Sequence, residues 1–421
     1  MQSRCRAPTS RLTASSDDAS GVLACAAGSA VRSLAIPQSV KFVRNRVLLV
    51  LIVAGLLAGS GLAFLTAAPN RLVTGTGIRL DACLGGWRAS LLLPAAALML
   101  GVFLTAMRRT HVVMAIAATV LLTGFVWLAG DEARRLAQAG SPLSRTSFGG
   151  GFWLLVFVSW LAAADSIQRL RLRVPAMIAA NVAVIAPSIA LLLAGELAQL
   201  SVLKEYANRQ GIFYTAFFRH LQIVVFTLLP TLLLGVPLGI ASFRRERWRA
   251  PVFAVLNVIQ TVPSIALFGL LLAPLAFLAL HVPALSRLGI GGIGIAPAVI
   301  ALTLYSLLPV VRSTVAGLTQ VPAPAIEAAA GMGMTRGQIL RRVQIPLALP
   351  VFLSGLRVAT VQTVGLAVVA ALIGAGGMGA LVFQGLSSSA IDLVLLGVVP
   401  VVALAVAFDA TFRLIAGALT P

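Results

Sequence analysis

Residues able to do chemistry are few in this chain, so their spacing decides what can be read from them. Two glycine strings, Gly289, Gly291 and Gly294, then Gly374, Gly376 and Gly379, fit G-x-G-x-x-G. That pattern cradles a dinucleotide pyrophosphate only between a soluble strand and a helix. Both strings sit instead at the ends of long apolar runs, so they are read as places where the chain bends. A phosphate-binding P-loop needs Gly-Lys-Ser or Gly-Lys-Thr, but the only lysines are Lys41 and Lys204 and neither follows glycine. Three histidines (His111, His220, His281) and three cysteines (Cys5, Cys25, Cys83) are scattered without ligand or disulfide spacing. No Ser-His-Asp arrangement or carboxylate pair stands out. The expectation is a chain with no catalytic residue, no metal and no cofactor of its own.

One stretch does carry punctuation, "IEAAAGMGMTRGQILRRVQIPLALP" from Ile326 to Pro350. Pro322 and Pro324 precede it and suit the first turn of a helix. Glu327 is expected in that first turn, where its charge complements the helix dipole. Ala328, Ala329 and Ala330 are strong helix formers of little bulk. Gly331 and Gly333 permit a sharp turn. A second helix is expected from Thr335, which forms a capping-box pattern with Gln338. Ile339 and Val343 share one face, and Arg336, Arg341 and Arg342 supply charge. Pro346 is expected to end this helix before the next apolar run. The result is a pair of short helices, the first nearly bald, as a surface that docks into another protein would be.

The elements that position this stretch are membrane spans. Of 421 residues, 59% are hydrophobic and only 10% charged, and the mean hydropathy is +1.00. Soluble chains carry about 25% charged residues, so this one reads as an all-α polytopic membrane protein whose helices satisfy their backbone internally. Ten spans are predicted, at 47–67, 90–107, 111–130, 151–168, 174–195, 220–242, 252–279, 294–311, 348–373 and 393–416. The seventh contains Pro263 and Pro274 and is expected to kink or break. Residues 1–40 read as a disordered basic cytoplasmic tail. The segment between the fifth and sixth spans, "AQLSVLKEYANRQGIFYTAFFRH", is amphipathic, either an interfacial helix or a solvated loop.

The formal net charge of +20 would point to nucleic acid in a soluble protein. Here it follows topology, because Lys and Arg hold loops on the cytoplasmic side. With the N-terminus inside, about 20 basic residues fall on cytoplasmic segments against about 10 outside. Both termini and the 326–350 stretch are then cytoplasmic. Asp165, Arg357, Asp392, Asp409 and Arg413 fall within or at the ends of spans. Structural pairing is the favoured reading, with Arg357 the one to watch, since intramembrane charge marks function by default.

The punctuated stretch resembles the EAA loop of binding-protein-dependent ABC importer permeases. That motif is Glu-Ala-Ala, three residues, Gly, nine residues, then Ile-x-Leu-Pro. Here it runs Glu327, Ala328, Ala329, then Gly333, then Val343, Gln344, Ile345, Pro346, departing only by Val for Ile and Ile for Leu. "IQTVPSIALFGLL" (259–271), "LYSLLPVVRSTVAGL" (304–318) and "ALIGAGGMGALVFQG" (371–385) are similar to the glycine betaine/choline/osmoprotectant permeases. The resemblance covers about 210–415.

The resemblance implies a type I (MetI-like) importer permease core over 201–421, with a coupling loop at 322–347, preceded by a five-span extension over 41–200 that carries no motif. It implies that Glu327, Ala328, Ala329, Gly333 and Pro346 couple to a cytoplasmic ATPase that binds ATP-Mg. Pro263, Ser264, Gly374, Gly376 and Gly377 would line the path between two copies, in a homodimer set in membrane lipid. An extracytoplasmic binding protein would select the solute. Aromatics make up only 6% of the chain and no cation–π cage is visible in the sequence, which fits selection elsewhere. The chain closes at Pro421 just after the last span, so a fused binding domain is not expected. Three alternatives stay open: the same machine for another small solute such as an amino acid, an ion-coupled secondary transporter, and a non-transporting membrane scaffold.

Overall fold

The computed structural model describes residues 44–419 apart from 71, 72, 74, 105, 106, 141, 142 and 285–289. The tail at 1–40 and Gly289 therefore lie outside the described residues. Helices dominate. Eight are long and apolar enough to span a bilayer, and three shorter apolar ones accompany them.

The N-terminal half begins with α1 (Arg46–Gly61). Asn45 caps it, its side chain accepting from the Leu48 amide at 3.1 Å, as an N-cap should. The chain then enters a feature absent from the expectation, a three-stranded antiparallel sheet in the order β2-β1-β3. Its strands are β1 (Leu65–Ala68), β2 (Thr76–Ile78) and β3 (Arg145–Phe148), with Leu65 opposite both Ile78 and Phe148. This sheet shortens the first predicted span to sixteen residues, because the backbone leaves the helix at Leu62 to pair as a strand. Next come α2 (Leu80–Cys83), a 3-10 turn (Gly86–Leu91), α3 (Leu92–Gly101), α4 (Arg108–Ala139), α5 (Gly150–Arg169), α6 (Val174–Leu193) and α7 (Ser201–Asn208). The second predicted span is likewise short. Phe64, fully buried where the sheet begins, lies 6.2 Å from Phe125 of α4 and 5.8 Å from Phe152 of α5.

The C-terminal half is built around α11. Its helices are α8 (Gln210–Arg244), α9 (Glu246–Thr261), α10 (Ser264–His281), α11 (Ile295–Thr319), α12 (Ala323–Gly331), α13 (Arg336–Ile339), α14 (Ile345–Leu366), α15 (Met378–Ser387) and α16 (Ile391–Leu419). The predicted span at 252–279 is two helices, broken where Val262 and Pro263 leave helical geometry. Most of α11 is buried, and it packs most extensively against α8 and α14. Two glycines explain how close it comes. A Cβ on Gly239 of α8 would stand 2.6 Å from Thr314 Cβ, and one on Gly355 of α14 would stand 2.1 Å from Ser313 Cβ. In lipid, helices associate through such small-residue contacts because burial alone gives no drive.

Of the charges predicted within or at the ends of spans, Asp165, Arg357, Asp409 and Arg413 are ion-paired. Asp409 of α16 takes Arg357 at 3.5 Å and Arg413 at 2.8 Å. Asp165 takes Arg169 at 2.8 Å and the Asn45 amide at 3.2 Å. In the N-terminal half Glu132 is fully buried and held by Arg88 at 3.0 Å and by Arg135, while Arg134 reaches Glu196 at 2.5 Å. This cluster sits over the Cys83 thiol, which burial pushes up to about 11.

Candidate functional site

The punctuated stretch folds as two short helices standing on an apolar base. Pro322 caps α12 and Pro324 lies in its first turn, where a missing amide costs nothing. Glu327 lies one turn further in than expected, and that first turn holds no acidic residue. Glu327 and Ala328 face solvent, whereas Ala329 is buried. Of the two glycines only Gly333 takes a left-handed conformation, at φ +78°, and Gly331 ends the helix in ordinary geometry. The Met334 amide returns to the Ala329 carbonyl at 3.2 Å, closing the turn.

The second helix opens on the capping box its sequence predicts. The Gln338 amide donates to Thr335 Oγ1 at 3.4 Å, and the Thr335 amide donates to Gln338 Oε1 at 2.8 Å. Ile339 and Leu340 turn inward, and Arg336, Arg341 and Arg342 stay exposed. Leu340 joins Leu318, Val321 and Ala348 in a small core, with Ile326 of α12 and Ile240 and Phe243 of α8 packed on it. The loop is thus bolted to three long helices.

Pro346 does not end the second helix. A π turn over Leu340–Gln344 leads straight into α14, and Pro346 falls in the first turn of α14. A π turn shifts the hydrogen-bond ladder by one residue, so the ladder restarts where proline's missing amide is tolerated. The two helices and the turn form one continuous rod, Arg336–Leu366.

At the other end of this rod lies the second glycine string. A 3-10 turn (Val369–Ile373) ends on Gly374, and Gly374, Gly376 and Gly377 have φ of +77°, +79° and +77°. Three left-handed positions in four residues are affordable only to glycine. The Gly294 amide donates to the Ile373 carbonyl at 2.9 Å, so residues from both glycine strings meet here. A Cβ on Gly377 would stand 3.3 Å from His220 of α8, which is fully buried with Nε2 3.1 Å from the Val364 carbonyl. Pro263 and Ser264 start α10, one turn before Leu267 and Phe268, which share a core with Ala370, Ile373 and Ala375 beside the string. The expected path residues thus come from elements packed on one core.

Sequence spacing missed several groups at this break. Tyr305 of α11 donates its hydroxyl to the Val262 carbonyl, and Gln260 donates to the Tyr305 carbonyl at 2.6 Å. The first bond serves the backbone freed by the break, and the second serves a carbonyl of α11 whose helical donor is missing at Pro309. A cavity of about 390 Å³ opens between α9, α11 and α14, with Gln260, Arg312, Ser313, Ser354 and Gln362 on its wall. Arg312 donates to Asn257 at 3.4 Å. The aromatics also gather more than their low number led one to expect. Tyr206 and Tyr214 share a hydroxyl contact of 2.9 Å, with Phe213 edge-on to Tyr206 at 5.1 Å. The Tyr214 hydroxyl pushes the Tyr206 phenol above its ordinary range. These rings contact one another.

The two halves of the chain match two known families. Residues 44–203 match the N-terminal domain of the ABC transporter permease YehY, and residues 231–421 match the binding-protein-dependent transport system inner membrane component. The osmoprotectant import permease protein OsmW of Salmonella typhimurium is 40% identical over 214 residues, 51% of this chain and 94% of that protein. OsmY of the same organism, also an osmoprotectant import permease protein, is 44% identical over 181 residues, 42% of this chain and 70% of that protein. OpuCD of Bacillus subtilis, a glycine betaine/carnitine/choline transport system permease protein, is 34% identical over 217 residues, 51% of this chain and 88% of that protein. Among solved structures, an inward-facing MetNI methionine ABC transporter aligns over 50% of this chain and 97% of that one, with 23% identity and a TM-score of 0.44.

Proposed function

The chain belongs to the permease family of binding-protein-dependent ABC importers, and from that premise we propose that it imports a quaternary-amine osmoprotectant of the glycine betaine or choline type. It is a multi-pass membrane protein and a transport component, not a catalytic subunit. Membership implies an ATPase and a binding protein as partners.

The observation that carries the reading is the helix pair at 323–344, fixed from beneath by Leu340 and Ile326 and offering Glu327 and Ala328 outward. A small, rigid, solvent-facing helix with a single carboxylate suits a cleft in the partner ATPase. In this reading Glu327, Ala328, Ala329, Gly333 and Pro346 form the coupling element. ATP-Mg is bound by the ATPase and not by this chain. The Lys and Arg bias supports a cytoplasmic position for the loop and both termini.

A second copy completes the translocation path. Pro263, Ser264, Gly374, Gly376 and Gly377 are its proposed lining, supported by the helix break at Val262 and the three left-handed glycines. The cavity beside Arg312, with Gln260, Ser313, Ser354 and Gln362 among its otherwise apolar lining, supports a passage suited to a small zwitterion, whose carboxylate a guanidinium can meet. The names of the relatives support the solute class. The +20 charge reflects topology, and nucleic acid is not a partner.

The test is uptake of labelled glycine betaine into cells lacking other osmoprotectant importers. The chain is expressed with its ATPase and binding protein, with and without an ATPase-dead substitution. ATPase-dependent uptake is expected. An intact complex that moves no betaine, choline or carnitine would overturn the solute assignment.

A further inference from the structure

One cavity is remote from the coupling loop and from the glycine string. It lies in the N-terminal half, between α1, α3, α4 and α5, and holds about 490 Å³. Its wall follows α1 from Leu48 to Ser60, a rise of about 18 Å at 1.5 Å per residue, which leaves a mean section of about 27 Å². That is an elongated groove along α1, long enough for an extended alkyl chain to lie against its wall.

Its chemistry is sorted along its length. The deep wall is hydrocarbon apart from the Ser159 hydroxyl, with Leu121 and Leu155 nearly fully buried. The charged groups lie at one end only, where α1 gives way to the sheet: Arg79 and Asp81, an exposed pair 3.4 Å apart. One side opens laterally, since Leu56 and Leu92 on its rim are each 57% exposed. Gly55 keeps the middle clear, because a Cβ there meets only Val158 Cγ1, at 3.6 Å.

We propose that this slot holds one acyl chain of a membrane phospholipid, with the headgroup phosphate at Arg79. Water is the wrong filling, because it needs two to four polar partners and the deep wall offers one hydroxyl, Ser159, already bonded to the Leu155 carbonyl. An empty slot forfeits dispersion contacts along its whole length. A phospholipid supplies the alkyl chain through the lateral opening and charge at the mouth, where Arg79 faces the phosphate and Asp81 suits the ammonium of a zwitterionic headgroup. The extension is thereby a lipid-binding module set beside the transport core, and the assignment does not depend on the transported solute.

The full chain would be reconstituted in vesicles containing phosphatidylethanolamine with a diazirine on one acyl chain, irradiated, and mapped by peptide mass spectrometry. Labels on Leu51, Ile52, Leu121 and Leu155 are expected, at several times the yield on lipid-facing Leu233 and Leu280. Labels confined to Leu233, Leu280 and similar exposed residues would overturn the proposal. Gly55→Leu should fill the slot and lower its labelling several-fold while outer labelling stays unchanged, and unchanged slot labelling in a folded Gly55→Leu would sink the idea. Native mass spectrometry of the unaltered chain decides independently of any variant. One retained phospholipid per chain, weakened by Arg79→Ala, is expected, and none retained in gentle detergent would overturn it.

Discussion

Ser147 and Asp392 stand 245 positions apart, and Ser147 Oγ donates to Asp392 Oδ2 at 2.8 Å. Ser147 is on β3, the strand that closes the sheet of the N-terminal half, and Asp392 opens α16 of the transport core. A carboxylate in the first turn of a helix is favoured by the dipole. A second stitch lies alongside. Glu205 of α7 takes Arg145 at 3.7 Å and Arg209 at 3.3 Å, and Arg209 donates to Gln384 of α15 at 3.3 Å. Lys204 next to it donates to the Ser144 carbonyl at 3.3 Å, and burial lowers its pKa. The sheet therefore joins the extension to the same α15–α16 segment that follows the glycine string.

Removing Ser147 should cost more than its size suggests. Asp392 Oδ1 is already buried without a hydrogen-bond partner. Ser147→Ala leaves the whole carboxylate unserved, at about 1–3 kcal/mol. Ser147→Ala with Asp392→Ala should be no worse than Ser147→Ala alone, because the stranded charge is gone. Thermal unfolding of the detergent-solubilised variants measures both, and strictly additive losses would refute the pairing.

Glu327→Arg should lower ATP-driven uptake by about tenfold or more, since reversing a docking charge costs several kcal/mol at an interface. Insertion and thermal stability should not change, because Glu327 faces solvent. Thr335→Ala should act more mildly, removing a cap worth about 1 kcal/mol. Co-purification of the ATPase with each variant, read beside uptake, distinguishes lost docking from lost folding.

Gly355→Leu should disrupt the transport core by about 3 kcal/mol or more, because its first side-chain carbon already overlaps Ser313. Gly365→Ala, with nothing within 4 Å of the added carbon, is the control on the same helix and should be near neutral. Melting temperatures of the two variants test this, and equal values would contradict the close approach.

Glu132 and Arg135 form one ion pair with unequal ends. Glu132 is fully buried, while the Arg135 side chain is 61% exposed. Glu132→Ala should therefore cost about 1–3 kcal/mol, because Arg88 loses one buried carboxylate and keeps only Asp131. Arg135→Ala should cost under about 1 kcal/mol. Unfolding in denaturant reads the difference, and comparable losses would count against the burial of Glu132.

Cys83 should be a poor nucleophile. Its thiol is fully buried and pushed up to about 11, first by burial and then by the charge of Glu132. At pH 9 only about 1% would be thiolate. A raised pKa favours the neutral folded form, so its stabilising contribution is complete below the unfolded pKa and fades as pH rises towards the folded one. In Cys5→Ser with Cys25→Ser, maleimide labelling at pH 8 should be slow until denaturant is added. Rapid labelling of the folded chain would contradict this environment.

How much was legible in the sequence follows the reach of each signal. The spans were readable because a bilayer imposes length and hydropathy over about 20 residues, and the capping box because Thr335 and Gln338 act across one turn. The sheet was not, since strands as short as Thr76–Ile78 are too brief to show a period of two. Pro346 misled because proline marks both a helix end and a helix start, and only the π turn before it tells which. Tyr305 and Gln260 gave no sign because their partners lie more than forty positions away.

The π turn has a mechanical consequence. Because Arg336–Leu366 is continuous through the π turn, it is a lever of about 46 Å with no loop between its ends. A push delivered at Arg336 cannot be absorbed by a loop. It must reappear beyond Leu366, and the first compliant joint it meets is the run of left-handed glycines from Gly374 to Gly377. Under the proposed coupling, a stroke entering at Arg336 would leave as rotation near Gly374, with the close contact at Gly355 and Ser313 as its pivot.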